Sequence, residues 1–331
     1  MKKASIKDVA SKAEVSIATV SQILNNKGDR FSQDTIQKVM QARDELGYVA
    51  NSAAKSLKGS PSPMIGVVIP SFRLPFFADI IQSMQTNAPE HVNLVFMGSA
   101  NENLETSIYS LVERGVDALI FGRPIPNHDI VNTFLEKRGI PFLVLDQNSD
   151  NEAQDRIMVD EYGGGAAAAQ HLLNLGHQKI AVVTPFEMTD NMLERLNGFV
   201  ETLKAVNIVP IAQVEAALSK HGGLAAAQKV TQSGATAAFV INDEMAIGLM
   251  RGLTNAGVKI PDDISVVGYD DTDYAEFVIP ALTTVAQPVQ AIGDEALQMI
   301  LNRLANRDLE RQTDLFELKL IVRESTGPIK K

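Results

Sequence analysis

The ten residues Ser16-Ile17-Ala18-Thr19-Val20-Ser21-Gln22-Ile23-Leu24-Asn25 hold side chains that can read the edges of base pairs. At a helical period Val20, Ile23 and Leu24 fall on one side, and Ile17, Ala18, Ser21, Gln22 and Asn25 on the other. The first side asks to be buried; the second is a reading face, on which a glutamine amide can pair bidentately with adenine. A helix can read only if a small domain holds it. Just upstream Ser5 is a helix cap for a segment with apolar Ile6, Val9, Ala10 and Ala13, joined to the reading helix by the tight link Glu14-Val15-Ser16. Two short helices across such a link make a helix-turn-helix, whose second helix enters the major groove of DNA. Alone, the pattern also fits a packed helical hairpin.

Charge favours the DNA reading. The 331 residues carry a net charge of -10, yet the first 60 hold ten Lys and Arg against six Asp and Glu, and the remainder twenty against thirty-four. A basic head neutralises phosphates while an acidic body stays off the duplex. There is no cysteine, so neither a disulfide framework nor a thiolate metal site is available. No apolar run approaches the ~20 residues that span a bilayer, and MKKASIKDVA has no apolar core of an export signal, so a cytoplasmic protein without membrane partners is expected. With 45% hydrophobic content this length suits two or three domains.

Ser32 is placed to cap a third helix running to about Leu46, with Ile36, Val39 and Met40 inward and Gly47 as its stop. Residues 51–58, NSAAKSLK, could form a helix too short to stand alone in water, and Gly59 to Pro63 read as a linker. From Met64 the pattern changes to apolar runs at 64–70, 92–97, 117–122, 141–146, 156–160, 179–184, 236–241 and 264–270. Runs of this kind, mostly 20 to 30 residues apart, are buried parallel strands with room for crossover helices. The expected architecture is an all-α helix-turn-helix head plus an α/β body of two doubly wound parallel-sheet subdomains, with a cleft at the carboxyl ends of the strands.

At this level of detail the chain resembles the lactose-repressor (LacI/GalR) family of bacterial transcription regulators. The likeness is carried by IKDVA, VSIATVSQILN, ELGY and NSAAKSL in the head. In the body it is carried by Pro75-Phe76-Phe77, Asp160 with Gly163, HLLNLGH, Arg195 with Gly198, INDEMAIG, IPDDISVVGYDD, LTTVAQP and VREST. Many fragments in one order are far more specific than any one of them. The resemblance implies a periplasmic-binding-protein-like body and a homodimer on a pseudo-palindromic operator. It places the head at residues 1–50, a hinge helix and linker at 51–63, and the effector and dimerisation body at 64–331. Within the body, one subdomain would comprise about 64–160 and 288–317, the other about 161–287 and 318–331. No heptad-rich tail follows Thr326, which favours dimer over tetramer.

Carried over residue by residue, the resemblance implies DNA contacts by Ser5, Ser16, Ile17, Ala18, Thr19, Ser21, Gln22 and Asn25, and by Asn51, Ala54, Leu57 and Lys58 of the hinge. Many members have Arg where Gln22 stands, so operator preference should differ; Leu57 matches a leucine wedged into the minor groove. The implied effector site is Phe72, Phe76, Phe77, Asp146, Gln147, Arg195, Asn242, Asp270 and Gln287. Aromatic faces with paired donors and acceptors suit a sugar, and no cation cluster marks a phosphate site. KGDRFS and RDELGY resemble regulators of ribose utilisation in Gram-positive bacteria, which makes a pentose such as ribose the expected effector and a carbohydrate operon the expected target. Three departures stand out. Glu14 replaces a common turn glycine, costing ~1 kcal/mol if its backbone is left-handed. Val49-Ala50 replaces a residue-proline pair. Gln147 stands where many sugar-responsive members have Arg.

The same sequence also allows other readings. Gly163 to Ala168 matches GxGxxA after a strand, with Glu187 about twenty residues on, as in a nicotinamide-dependent oxidoreductase. But Asp160 and Glu161 would repel a pyrophosphate, so the glycines are read as helix packing and neither enzyme activity nor cofactor is expected. His171 and His177 are six apart, not the four that puts two ligands on one helix face, so no metal is expected. Asp271 and Asp273 read as a solvated turn. A free-standing sugar receptor is disfavoured by the head.

Overall fold

The computed structural model describes residues 4–24, 30–48, 62–99, 103–122, 125, 128–145 and 155–330, and two compact units divide them, Met1–Ser62 and Pro63–Lys331. The first unit contains α1 (Ile6–Lys12), α2 (Ile17–Leu24) and α3 (Gln33–Glu45). Ser5 caps α1 in a reciprocal box with Asp8, and Ser32 caps α3 by accepting from the Thr35 amide. Val9, Ala10, Ala13, Val20, Ile23, Val39 and Ala42 are buried together as the core. Ile36 packs against this core, but Met40, expected inside, is 37% exposed. Ala42, three residues beyond Val39 and so on the same face of α3, takes the inward place. The turn has the left-handed backbone the sequence raised as a possibility: Glu14 sits at φ 56°.

The second unit begins with β1 (Met64–Ile69), α4 (Pro75–Asn87), β2 (Asn93–Gly98), α5 (Leu104–Glu113), β3 (Ala118–Phe121), α6 (His128–Glu136), β4 (Phe142–Leu145) and β5 (Asp155–Val159). It continues with α7 (Glu161–Asn174), β6 (Ile180–Pro185), α8 (Asp190–Ala205), β7 (Ala212–Ala216), α9 (Lys220–Gln232), β8 (Ala237–Val240), α10 (Asp243–Asn255) and β9 (Ser265–Asp270). After α11 (Tyr274–Phe277) come β10 (Thr283–Ala286), α12 (Val289–Ala305), β11 (Thr313–Phe316) and β12 (Lys319–Ile321). One sheet has the order β11-β5-β4-β3-β1-β2, the other β12-β10-β9-β8-β6-β7. All pairs are parallel except β10 with β12. Each sheet is doubly wound, with strand order reversing beside β1 in one and beside β6 in the other.

All eight apolar runs read from the sequence form strands. Four strands were not anticipated. β7 and β11 alternate exposed with covered residues, so no continuous apolar run marks them, and β12 has only three residues. β10 is buried but begins Thr283-Thr284, whose hydroxyls are satisfied by tertiary partners. The chain passes between the two sheets three times, after β5, after β10 and after β11. Apolar cores fill both faces of each sheet. Helices α7 and α8 approach at backbone distance: a Cβ on Gly165 would lie 1.9 Å from the Arg195 carbonyl oxygen, and one on Gly198 1.9 Å from that of Tyr162.

Candidate DNA and effector sites

In the head, Ser16 accepts from the Thr19 amide at 3.0 Å and its hydroxyl pairs with that of Thr19 at 2.9 Å, so both residues hold the start of α2. Ser5, expected at DNA, binds Asp8 at 2.7 Å through its hydroxyl. Ser5 thereby fixes the start of α1, and Ser16 with Thr19 that of α2. Beyond them Ile17 is 44% exposed, a large apolar side chain the core does not use; Ala18 is exposed, and Ser21 and Gln22 are half-buried on the same side. Val20 and Ile23 are buried opposite. The expected two-sided helix is thus present. Asn25, Asn51, Ala54, Leu57 and Lys58 lie outside the described residues.

In an open α/β sheet, ligands bind beyond the carboxyl ends of the strands where strand order reverses. For the first sheet that point is the end of β1 and β3. There Phe77 lies over Gly122, and Phe76 meets Phe77 edge to face at 5.0 Å. Both pack partly on the core, whereas Phe72, at the end of β2 over Gly98, is 56% exposed. Pro75 at the first helical position presets the turn that aims these rings. Asp146 and Gln147 lie outside the described residues.

For the second sheet the point is the end of β6 and β8. Asn242, one residue past Ile241, caps α10 by accepting from the Met245 amide at 3.0 Å, which leaves its amide NH2 for other partners. Asp270 ends β9 with φ 112° and Asp271 follows at φ 55°, two non-glycine residues in left-handed territory, a strain that clusters at functional sites. Gln287 donates to the Asp270 carboxylate at 2.7 Å. The structure therefore brings Arg195, Asp270 and Gln287 into one group, with Asn242 beside Ile241, whose carbonyl Arg195 holds.

Arg195, which the resemblance places at the effector, is largely engaged with protein partners. It is 2% exposed, and its guanidinium grips Glu161 with two bonds of 2.9 and 3.0 Å. It also donates to the Ile241 carbonyl, lies 3.5 Å from the Tyr269 ring centroid, and stands 3.7 Å from Asp270. Burial opposes its charge, but Glu161, Tyr269 and Asp270 outweigh burial and raise its pKa. Burial pushes Asp270 up to about 6 although Arg195 and Gln287 favour its charged form.

Three members of this cluster were not assigned to the effector site from the sequence: Glu161, Tyr269 and Asp243. Asp243 is wholly buried and accepts from the Thr272 amide at 2.8 Å, the Thr272 hydroxyl at 3.3 Å and the Thr284 hydroxyl at 2.7 Å. Burial, then Asp270, pushes it up to about 8. It anchors the strained turn carrying Asp270. The signal available was a carboxylate directly after the cap Asn242, in the first turn of a helix. Asp79 of α4 is raised by burial and, to a lesser degree, by Asp273. His171 and His177 are engaged with Thr326 at 2.9 Å and with Thr236 and the Gly327 carbonyl at 3.0 Å, pinning the chain's last segment. The GxGxxA glycines pack as helix start: Gly163 donates to Asp160 at 2.8 Å, and Gly164 and Gly165 abut Tyr269 and Arg195.

The head and body define a DNA-binding regulator with a two-lobed ligand module, and the comparisons agree. Residues 5–51 match the model of bacterial regulatory proteins, lacI family, and residues 169–326 that of the periplasmic binding protein-like domain. The chain is 33% identical over 336 residues to the HTH-type transcriptional regulator DegA of Bacillus subtilis (strain 168), covering 99% of each. A LacI family regulator from Enterococcus faecium with bound ribose matches 81% of this chain and 100% of its own at 34% identity and TM-score 0.76. The lac repressor dimer bound to operator and an anti-inducer matches 98% and 100% at 30% identity and TM-score 0.82. The chain belongs to the lacI family of bacterial transcription regulators. Among the described residues, no helix is long and apolar enough to cross a membrane.

Proposed function

We propose that this regulator is a cytoplasmic homodimer that represses a carbohydrate-utilisation operon and leaves its pseudo-palindromic operator when a small uncharged sugar, such as ribose, occupies the body. It is not an enzyme. Residues 1–50 form the reader, 51–63 the hinge, and 64–331 the effector and dimer module, with lobes of about 64–160 plus 288–317 and 161–287 plus 318–331. The observation that carries the reading is the Arg195-Asp270-Gln287 group with Asn242 at the carboxyl end of the second sheet, with Phe72, Phe76 and Phe77 at the carboxyl end of the first. Rings cover the apolar face of a pyranose or furanose, and the polar group supplies donors and acceptors to adjacent hydroxyls. The ribose-bound Enterococcus faecium relative supports the pentose, and the operator-bound lac repressor dimer supports the dimer and the α2 reader. Ile17, Ala18 and Gln22 read bases, while Ser16 and Thr19 fix the helix.

A sugar shifts the operator equilibrium only by its difference in affinity for the two states of the body. The test is operator selection from random duplex, followed by gel shift with and without D-ribose. Ribose lowering operator affinity by about tenfold or more supports the reading. No selected palindrome, or no response to any pentose or hexose, counts against it.

A further inference from the structure

Glu161 is the first residue of α7, immediately after the chain leaves β5 for the second lobe. Its side chain is 4% exposed and its two carboxylate oxygens take Arg195 Nε and Nη2 at 2.9 and 3.0 Å. Its carbonyl lies within 3.4 Å of the Tyr269 hydroxyl, whose ring covers the guanidinium. Gly165 and Gly198 let α7 and α8 touch backbone to backbone, which brings the backbones that carry Glu161 and Arg195 close together. Three of the five N–H bonds of Arg195 are thereby spent within the protein, two of them on a full carboxylate, and Asp270 supplies a second anion at 3.7 Å.

Resting on the proposed effector site, we infer that Glu161 is a positioning residue that makes the site select uncharged hydroxylated ligands over anionic ones. A guanidinium facing an open cleft attracts phosphate or carboxylate through its planar fork. Here Glu161 occupies the fork side, and an arriving anion meets a buried cation already offset by Glu161 and Asp270. It would lose its hydration without gaining an unpaired cation. A neutral sugar hydroxyl needs only one remaining N–H of Arg195 and one Asp270 oxygen, and Glu161 holds the donor where Asp270 can share that hydroxyl. The role concerns this chain's own pairing of an acidic residue at 161 with Arg195, and it ties the ligand's donor to the first crossover between lobes.

The test compares full-length wild type, Glu161→Gln and Glu161→Asp by calorimetry against D-ribose, D-xylose and D-glucose and against D-ribose 5-phosphate and D-glucose 6-phosphate. Wild type is expected to favour the neutral sugar by about a hundredfold over its phosphate ester, Glu161→Gln to narrow that ratio by about tenfold or more, and Glu161→Asp to keep more of it. A ratio unchanged in Glu161→Gln, or a wild type that prefers the ester, overturns the inference. If xylose or glucose binds and ribose does not, the ribose reading fails while the ratio still tests Glu161. Two readouts need no sugar. In ligand-free protein the Arg195 Nε–H, assigned with Arg195→Lys, is expected to exchange with solvent about tenfold faster in Glu161→Gln; equal rates overturn the inference. If that variant does not fold, exchange of the Arg195 Nε–H in Glu161→Asp decides: faster exchange than in wild type supports the inference, and an equal rate overturns it.

Discussion

Asp243→Asn is the substitution whose outcome the structure constrains most tightly. The carboxyl is wholly buried, and burial and Asp270 push its pKa up to about 8 from an ordinary 3.8. At about 1.4 kcal/mol per unit, that displacement sets a ceiling of about 6 kcal/mol on what ionising Asp243 takes from stability. Relaxation and water entry reduce this, so a few kcal/mol is the expected scale. The sign follows from proton counting. Between pH 4 and 8 the folded protein holds a proton that the unfolded chain has released, so stability falls as pH rises through that window. Asparagine resembles the protonated acid: its carbonyl oxygen takes the Thr272 amide, and its NH2 donates to the Thr284 hydroxyl. Urea unfolding followed by circular dichroism should place variant and wild type within about 1 kcal/mol at pH 5. At pH 9 the variant should be more stable by a few kcal/mol. A gap that stays constant from pH 5 to 9, or that moves against the variant, refutes the assignment of a raised pKa to this buried acid.

Glu14→Gly should protect the amides of α1 and α2 from hydrogen exchange by about 1 kcal/mol, because glycine adopts φ 56° without the Cβ penalty. Gly165→Ala should destabilise by about 1–3 kcal/mol and lower the melting temperature, since its Cβ meets the Arg195 carbonyl. Gln22→Ala should remove about 1–3 kcal/mol of discrimination at one operator base pair while leaving random-duplex binding unchanged in a competition gel shift.

The composition of the reading helix, the caps Ser5 and Ser32 and the eight apolar runs were legible in the sequence because each depends on neighbours within a few residues. A helix needs only its own period and cap, and a doubly buried strand needs only its own apolar run. The family motifs then indicated Arg195, Asp270 and Gln287 as members of one site. What no local pattern could indicate was how these polar residues spend their bonds. Glu161 and Arg195 are 34 residues apart, and Asp243 meets Thr272 and Thr284 across 29 and 41. Only the close packing of α7 on α8 and the turn after β9 bring them within bonding distance. Chain order determined which groups this protein owns. The tertiary structure decided which face water or a ligand and which are consumed by one another, because desolvation and pairing depend on spatial neighbours that the sequence separates.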